Sequence, residues 1–205
     1  MHSTIEDFST LEPYNASFQA RVSKAQDLLW QINQTHPSEE DKRRALFGEL
    51  LGSYHNNAIV PPFHCDLGEK IFFGKGGFVN YGLVVTDIAE VHIGNNVLIG
   101  PRVQLCAAGH PVLAENRVLP ISCGEPIHIG NRVWIGAGAI VLAGVSIGDN
   151  TVIGAGSVVN KDIPANVVAV GSPCKVVKQL PPPDPAAFEP VENNPFYEAS
   201  EPGCD

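Results

Sequence analysis

His110 stands at the end of a run of six-residue repeats, immediately before a stretch that breaks the pattern. An imidazole changes charge near neutral pH, so a histidine beside an extruded segment can act as a general base toward a weakly acidic group. A corner histidine holding a structural hydrogen bond would leave the same sequence signature. Asn80 occupies a repeat slot where glycine is usual, and Asp87 follows one repeat later. Cys106, four residues ahead of His110, offers an acyl-enzyme route through a Cys/His pair. Small residues are routine in its slot, which accounts for it without chemistry. His92, His110 and His128 are each eighteen residues apart. They could stack in one column at roughly 5 Å spacing. Such a column does not supply tetrahedral zinc ligands within one chain, although ligands from two chains would. Trp134 replaces a small residue and offers a stacking platform or plain packing. Lys161, Lys175 and Lys178 gather near the end of the repeats, as a phosphorylated cofactor or an ordinary solvated face would have them.

These residues depend on the repeats to position them. Written in sixes from residue 129, the chain reads IGNRVW, IGAGAI, VLAGVS, IGDNTV, IGAGSV, VNKDIP. The first slot is aliphatic throughout (Ile129, Ile135, Val141, Ile147, Ile153, Val159), and the fifth is small or β-branched. Further copies run over residues 73–90 and 93–110, joined by a two-residue slip at Val91 and His92. This is the signature of a parallel β-helix: one aliphatic residue per face points inward and small residues make the corners. Residues 111–128 would put Pro111, Arg117 and Cys123 on inward faces, so they read as a loop extruded between coils, a place where function concentrates.

Before the repeats the period is helical. Phe18, Val22, Ala25, Leu28, Leu29 and Ile32 share one face, and Pro37 ends that helix. Ser38 is placed to cap a second helix whose first turn carries Glu39, Glu40 and Asp41, and which stops at Gly52. After the repeats comes a proline-rich stretch with six acidic residues and no basic one, read as a mostly extended tail whose Phe188, Phe196 and Tyr197 could dock it. The expected organisation is therefore a helical hairpin within 1–60, a β-helix over 61–179 with a loop at about 111–126, and an acidic tail over 180–205.

Composition limits the partners. The net charge of −9 disfavours phosphate-backbone binding, so nucleic acid is not expected. No apolar run reaches membrane-spanning length and the first residues do not resemble a signal peptide, so no membrane partner is expected. Five cysteines without a CxxC point to a reduced, cytoplasmic chain.

The segments NQTHPSEEDKRRAL, PPFHCDLG, VNYG, GHPV, NRVWIGAGAIV and GAGSVVNKDIPANVVAVGSPCKVVK resemble the maltose/galactoside O-acetyltransferases of the hexapeptide-repeat class, from about Tyr14 to Lys178. The resemblance implies a mainly β fold, a left-handed parallel β-helix with an N-terminal helical hairpin and an extruded loop. It implies homotrimers with acetyl-CoA and a small hydroxyl acceptor, a sugar or similar molecule, bound between subunits, and no metal. By resemblance His110 is the catalytic base and Asn80 contacts the reacting acyl group. Asp87, Asp66 and Asn15 fall where the family meets its acceptor. Ala137 and Ala155 fall along the cofactor arm, with Trp134 counted beside them as a stacking contact from its repeat slot, and Asn160, Lys161, Lys175 and Lys178 fall at its nucleotide end. The chain departs from the pattern where Asn15 replaces a carboxylate and where lysines replace arginines at 175 and 178, losing bidentate phosphate geometry. Three alternatives remain open on the same scaffold: acylation of a non-sugar alcohol or amine, a zinc lyase of the γ-carbonic-anhydrase type, and a non-enzymatic trimer.

Overall fold

Chain geometry follows from one repeated constraint: each coil hydrogen-bonds to the next through its backbone while burying an aliphatic residue on each side. The computed structural model describes residues 2–184, so the body of the expected tail, with Phe188, Phe196 and Tyr197, lies outside the described residues. The result is a left-handed parallel β-helix with three faces. Face I stacks Ile71–Phe73, Val91–Ile93, Ile127–Ile129 and Ser146–Ile147. Face II stacks Ala58–Ile59, Phe78–Val79, Leu98–Ile99, Trp134–Ile135, Val152–Ile153 and Val167–Val170, and the antiparallel strand Lys175–Gln179 closes its far edge. Face III stacks Phe63–Cys65, Leu83–Thr86, Gln104–Cys106, Ile140–Leu142 and Val158–Val159.

The predicted inward residues form the core. Ile99, Ile135 and Ile153 stack on face II, each no more than 1% exposed, and Leu105, Val141 and Val159 do so on face III at 0%. Full burial of such a side chain contributes about 1.5–3 kcal/mol. The edges are equally regular. At edge I–II, Asn96, Arg132 and Asn150 adopt left-handed φ values of 56°, 56° and 59°. The preceding residues form a ladder: Lys75 N donates to Asn95 Oδ1 (2.7 Å), Asn95 N to Asn131 Oδ1 (2.9 Å), and Asn131 N to Asp149 Oδ1 (2.8 Å). Asparagine suits both tasks, because it tolerates the left-handed region and its amide bonds to neighbouring backbone.

Helix α1 (Ala16–Gln34) and helix α2 (Glu40–Leu50) cap the first coils, burying Ala25, Leu28, Ile32, Phe47 and Leu50. Asn33 ties α1 to the coil below, its Oδ1 accepting from Phe63 N (2.9 Å) and its Nδ2 donating to Phe63 O (3.0 Å). Ser38 does not cap α2. Its hydroxyl lies 2.8 Å from the His36 ring, and Glu39 takes the cap position, its Oε2 accepting from His36 N (3.1 Å).

The extruded segment also differs from expectation. It leaves the β-helix at Ala108 rather than 111 and has secondary structure of its own. Strands Ala108–Gly109 and Ile121–Gly124 pair antiparallel, and strand Thr10–Pro13 adds beside the latter. Between them lies the short helix α3 (Ala114–Arg117). Cys123, out of place as an inward residue, is buried instead within this three-stranded sheet, opposite Leu11 on one side and Gly109 on the other.

The tight edges yield a test. A Cβ on Gly136 would stand 2.5 Å from Ala155 N in the next coil, whereas one on Gly138, at φ 66°, meets open space. Gly138→Ala should cost about 1–2 kcal/mol from backbone strain alone. Gly136→Ala should cost more, because overpacking here pushes on backbone rather than on a movable side chain. Denaturant melts at one protein concentration would contradict this if the order were reversed.

Candidate active site

Asp87 organises the site without touching solvent. It is 0% exposed, and its carboxylate accepts from Asp66 N (2.9 Å), Leu67 N (2.9 Å) and Gly68 N (2.6 Å). Burial pushes its pKa up and the backbone N–H bonds oppose that shift. Asp87, expected at the acceptor, here has its oxygens bonded to the turn that presents Asp66.

Asp66, by contrast, faces a cavity of about 500 Å³ together with His110, Ser122, Tyr14 and Phe18. That volume lies within the usual range for small-molecule sites. The extruded sheet brings His110 there, since the histidine follows strand Ala108–Gly109 directly and is exposed. Two clamps hold this corner. Ser9 donates its N–H (2.6 Å) and hydroxyl (2.7 Å) to Glu125 at the base of the extrusion. Glu12, on strand Thr10–Pro13, accepts from Arg21 of α1 and from Lys70 Nζ, and Lys70 also donates to Ile88 O (2.7 Å). The N-terminal arm, α1 and the coil are thus pinned around one cavity.

Asn15 does not line it. As N-cap of α1 its Oδ1 accepts from Phe18 N (3.0 Å). Sequence reasoning missed the wall that α1 does supply: Phe18 and Val22, read only as core-facing, and the row Gln19, Ser23 and Gln26 beside them. The signal was available. These three are uncharged at i, i+4 and i+7, while Arg21, Lys24 and Asp27 mark the other exposed rows.

The remaining candidates fall on other parts of the prism. Asn80, Ala137 and Ala155 all lie at edge II–III, in register from coil to coil: Asn80 N donates to Ile99 O, Gly100 N to Ile135 O, and Gly136 N to Ile153 O. Tyr81 N donates to Asn80 Oδ1 (2.8 Å), which leaves the Nδ2 hydrogens for another acceptor. Lys175 pairs with Val170 at the end of this same edge, and Lys178 lies farther along face II opposite Val168. Asn160 and Lys161 follow the face III strand Val158–Val159, on the way to face I, and so belong to edge III–I with His110 and Asp66. The three lysines, read as one cluster, are thus divided between two edges. Crossing face III from Gly82 to Asp87 takes five residues, roughly 16 Å at about 3.3 Å each.

Trp134 sits apart from the His110 cavity. It is 53% exposed in a groove on face II, where Leu98, Leu180, Pro181 and Pro183 are its neighbours. His92 and His128 stack at 5.0 Å on the outside of face I, with Phe72 at 4.9 Å from His92. The expected column is real, but His110 has left it with the extrusion. Among the described residues no three His, Cys, Asp or Glu side chains are grouped to hold a metal ion. Cys106 is half-buried, and burial pushes its thiol pKa up, which leaves little thiolate for nucleophilic attack. Among the described residues no helix is long and apolar enough to cross a membrane.

Comparison with known proteins matches this architecture at both ends. The bacterial transferase hexapeptide (six repeats) model matches residues 126–161, and the maltose acetyltransferase hexapeptide capping motif matches residues 12–55. The galactoside O-acetyltransferase of Escherichia coli (strain K12) is 45% identical over 158 residues, 77% of this chain and 78% of that protein. Among solved structures, the maltose O-acetyltransferase from Clostridium difficile 630 is 38% identical with a TM-score of 0.81, covering 89% of this chain and 100% of that one. A galactoside acetyltransferase in complex with coenzyme A is 42% identical with a TM-score of 0.80, covering 83% of this chain and 86% of that one.

Asp66 makes the site sensitive to pH. Burial, followed by the nearby Asp87 charge, raises its pKa from 3.8 to about 6. A carboxyl whose folded pKa is raised stabilises the fold while protonated and loses that contribution as pH rises through the folded value. Asp66→Asn cannot ionise. Its melting temperature should therefore gain on the unsubstituted protein as pH rises from about 4 to about 7, and a constant difference would contradict the assignment.

Proposed function

Because the chain belongs to the maltose and galactoside O-acetyltransferase family of hexapeptide-repeat proteins, we propose that it acetylates a sugar hydroxyl in a homotrimer, with His110 as general base. The chain is an acetyl-CoA-dependent O-acetyltransferase. The finer reading is carried by one observation: His110 and Asp66 share a cavity on one edge, while Asn80, Ala137 and Ala155 form a strip on the other side of face III. One protomer holds both halves but cannot bring them together. A closed threefold ring seats the II–III edge of one copy against the III–I edge of the next and completes three equivalent sites.

Edge II–III fits an extended cofactor arm. Ala137 and Ala155 are exposed there, and added Cβ atoms at Gly138 and Gly156 would meet nothing within 4 Å, so a ligand can lie close along this backbone. Lys175 and Lys178 on one protomer, with Asn160 and Lys161 on the next, provide the charge and hydrogen-bond donors for phosphates. Trp134 lies farther along face II, where its exposed ring flanks this path. Acetyl-CoA supplies the activated acyl group. An alcohol is a poor nucleophile at neutral pH, so His110 takes its proton as the oxygen attacks. The Asn80 Nδ2 hydrogens donate toward charge developing on the acyl oxygen, a role that the bond to Tyr81 N keeps preorganised. Asp66 binds acceptor hydroxyls, and the acidic cavity suits a neutral acceptor. Direct transfer is favoured over an acetyl-enzyme, because Cys106 is a poor thiolate source and is not among the residues lining the cavity with His110. A cytoplasmic location accords with free thiols at Cys65, Cys106, Cys123 and Cys174.

His110→Ala should lower kcat by about 10²–10⁴-fold with little change in the acetyl-CoA KM. Cys106→Ala should keep most activity. Steady-state kinetics with thiol release as readout tests both, and a fully active His110→Ala enzyme or a trapped acetyl-cysteine would overturn the mechanism.

Replacing Lys161, Lys175 or Lys178 with Ala should raise the acetyl-CoA KM on the order of tenfold, the loss of one charged hydrogen bond, with a smaller change in kcat. Unchanged KM in all three variants would return these lysines to ordinary solvated positions.

A further inference from the structure

The His110 ring is exposed at its cavity, and among the described residues no group hydrogen-bonds to it. The backbone therefore has to aim it. Pro111 confines the residue before it to extended backbone, so His110 itself has little freedom. The loose joint is Gly109, because glycine turns more freely than any other residue. Gly109 pairs with Cys123 at the last register position before the histidine.

The first residues of the chain close over that joint. Phe8 is buried, and its ring fills the place where a side chain on Gly109 would stand. A Cβ there would lie 3.0 Å from Phe8 Cε1 and 3.5 Å from Phe8 Cζ, with no other atom within 4 Å beyond its chain neighbours. Gly109 does not sit in the left-handed region, so it is the Phe8 ring rather than the backbone conformation that calls for glycine. The ring is held in turn. His2 packs on it with centroids 4.5 Å apart and lies 3.5 Å from Glu125, which also accepts from Ser9 N and Oγ. Asp7 Oδ2 accepts from Ser3 N and Thr4 N (2.7 Å each), which folds this stretch back on itself. Beyond the histidine, Val112 N donates to His2 O (3.0 Å) and Leu113 N to Ser3 O (3.2 Å). Residues 2–9 thus grip the chain on both sides of His110, and none of them lines the cavity.

We propose that residues 2–9 are a strap that aims His110, with Phe8 as a positioning residue acting through Gly109. This rests on His110 being the base. The strap fixes the direction from which the imidazole meets the acceptor hydroxyl. Proton transfer weakens steeply when that direction is lost, because the base has to lie within hydrogen-bond reach of the proton it takes.

Paired substitutions separate aiming from stability. Thiol release from acetyl-CoA is measured with a methyl galactoside as acceptor, beside a melting curve for each variant. Phe8→Ala should lower kcat about tenfold or more and leave the acetyl-CoA KM unchanged. In a His110→Ala background the same substitution should change kcat by no more than about twofold, because no base is left to aim. Gly109→Ala should lower kcat about fivefold on its own, and no more than about twofold once Phe8→Leu has withdrawn the ring from the new methyl. A Phe8→Ala enzyme that melts earlier yet keeps its kcat, or a loss that persists undiminished without His110, would overturn the strap while leaving His110 as the base. A fully active His110→Ala enzyme would overturn the base and the strap with it.

Discussion

Each coil of this molecule must satisfy its backbone groups on the coil above and the coil below, and that requirement governs where chemistry can be placed. Gly94 N donates to Ile129 O, Gly130 N to Ile147 O and Gly148 N to Ile163 O, each at 2.8 Å. At such spacing the edges tolerate little beyond a hydrogen: a Cβ on Gly94 or Gly130 would meet backbone within 2.7 Å. The interior is filled by aliphatic stacks, so it too has no room for a polar group without a partner. A regular β-helix can therefore offer flat strips and open grooves, such as that along Gly74, Gly94, Gly130 and Gly148, but no walled pocket. A cavity has to be built outside the coils.

The extruded sheet, α1 and the N-terminal arm do that building, and their positions are fixed by charges that solvent hardly reaches. Leaving a carboxylate like Asp87 enclosed is costly unless hydrogen bonds compensate for the lost water. Three backbone N–H groups do so here, and in exchange the turn through Asp66 has one conformation. Glu12 has the same role one layer out. Arg21 and Lys70 both donate to it, so strand Thr10–Pro13 is joined at once to α1 and to the coil. Because that strand also pairs with Ile121–Gly124, the clamp reaches the sheet that carries His110. Two buried or half-buried carboxylates thus set the shape of a cavity that a third, Asp66, lines.

The β-helix was legible in the sequence because its physics repeats. One aliphatic slot and one small slot every six residues leave a periodic trace that no single tertiary contact can blur. The helical hairpin was legible for a similar reason, the 3.6-residue period of Phe18 to Ile32. What was not legible depends on contacts distant in sequence. Thr10–Pro13 becomes a strand only because Ile121–Gly124 is there to pair with it. Ser38 has the right type and place for a cap, yet its hydroxyl turns to the His36 ring and Glu39 supplies the cap position. Asp87 has the composition of a ligand-binding residue, and only its burial and its bonds to the 66–68 turn show that it holds Asp66 in place. Phe18 and Val22 have the composition of core, and only the cavity beside them shows a second use.

The division of the candidate site between two edges has a consequence for how such a protein can evolve. On the proposed roles, the cofactor strip at edge II–III is made of backbone and methyl groups locked by the coil register, and a substitution there disturbs stacking as well as binding. The acceptor cavity draws most of its lining from α1, the N-terminal arm and the extruded sheet, which the coil register does not constrain, and only Asp66 and Ile88 come from the coils. The exposed rim of α1 can change its residues at the cost of a few tenths of a kcal/mol in helix propensity, leaving the coils untouched. The edge that recognises the shared acetyl donor is therefore the rigid one. The edge that recognises the acceptor is free to vary, and here it has been given an uncharged polar rim, a neutral floor and one carboxyl with a pKa raised by its own enclosure.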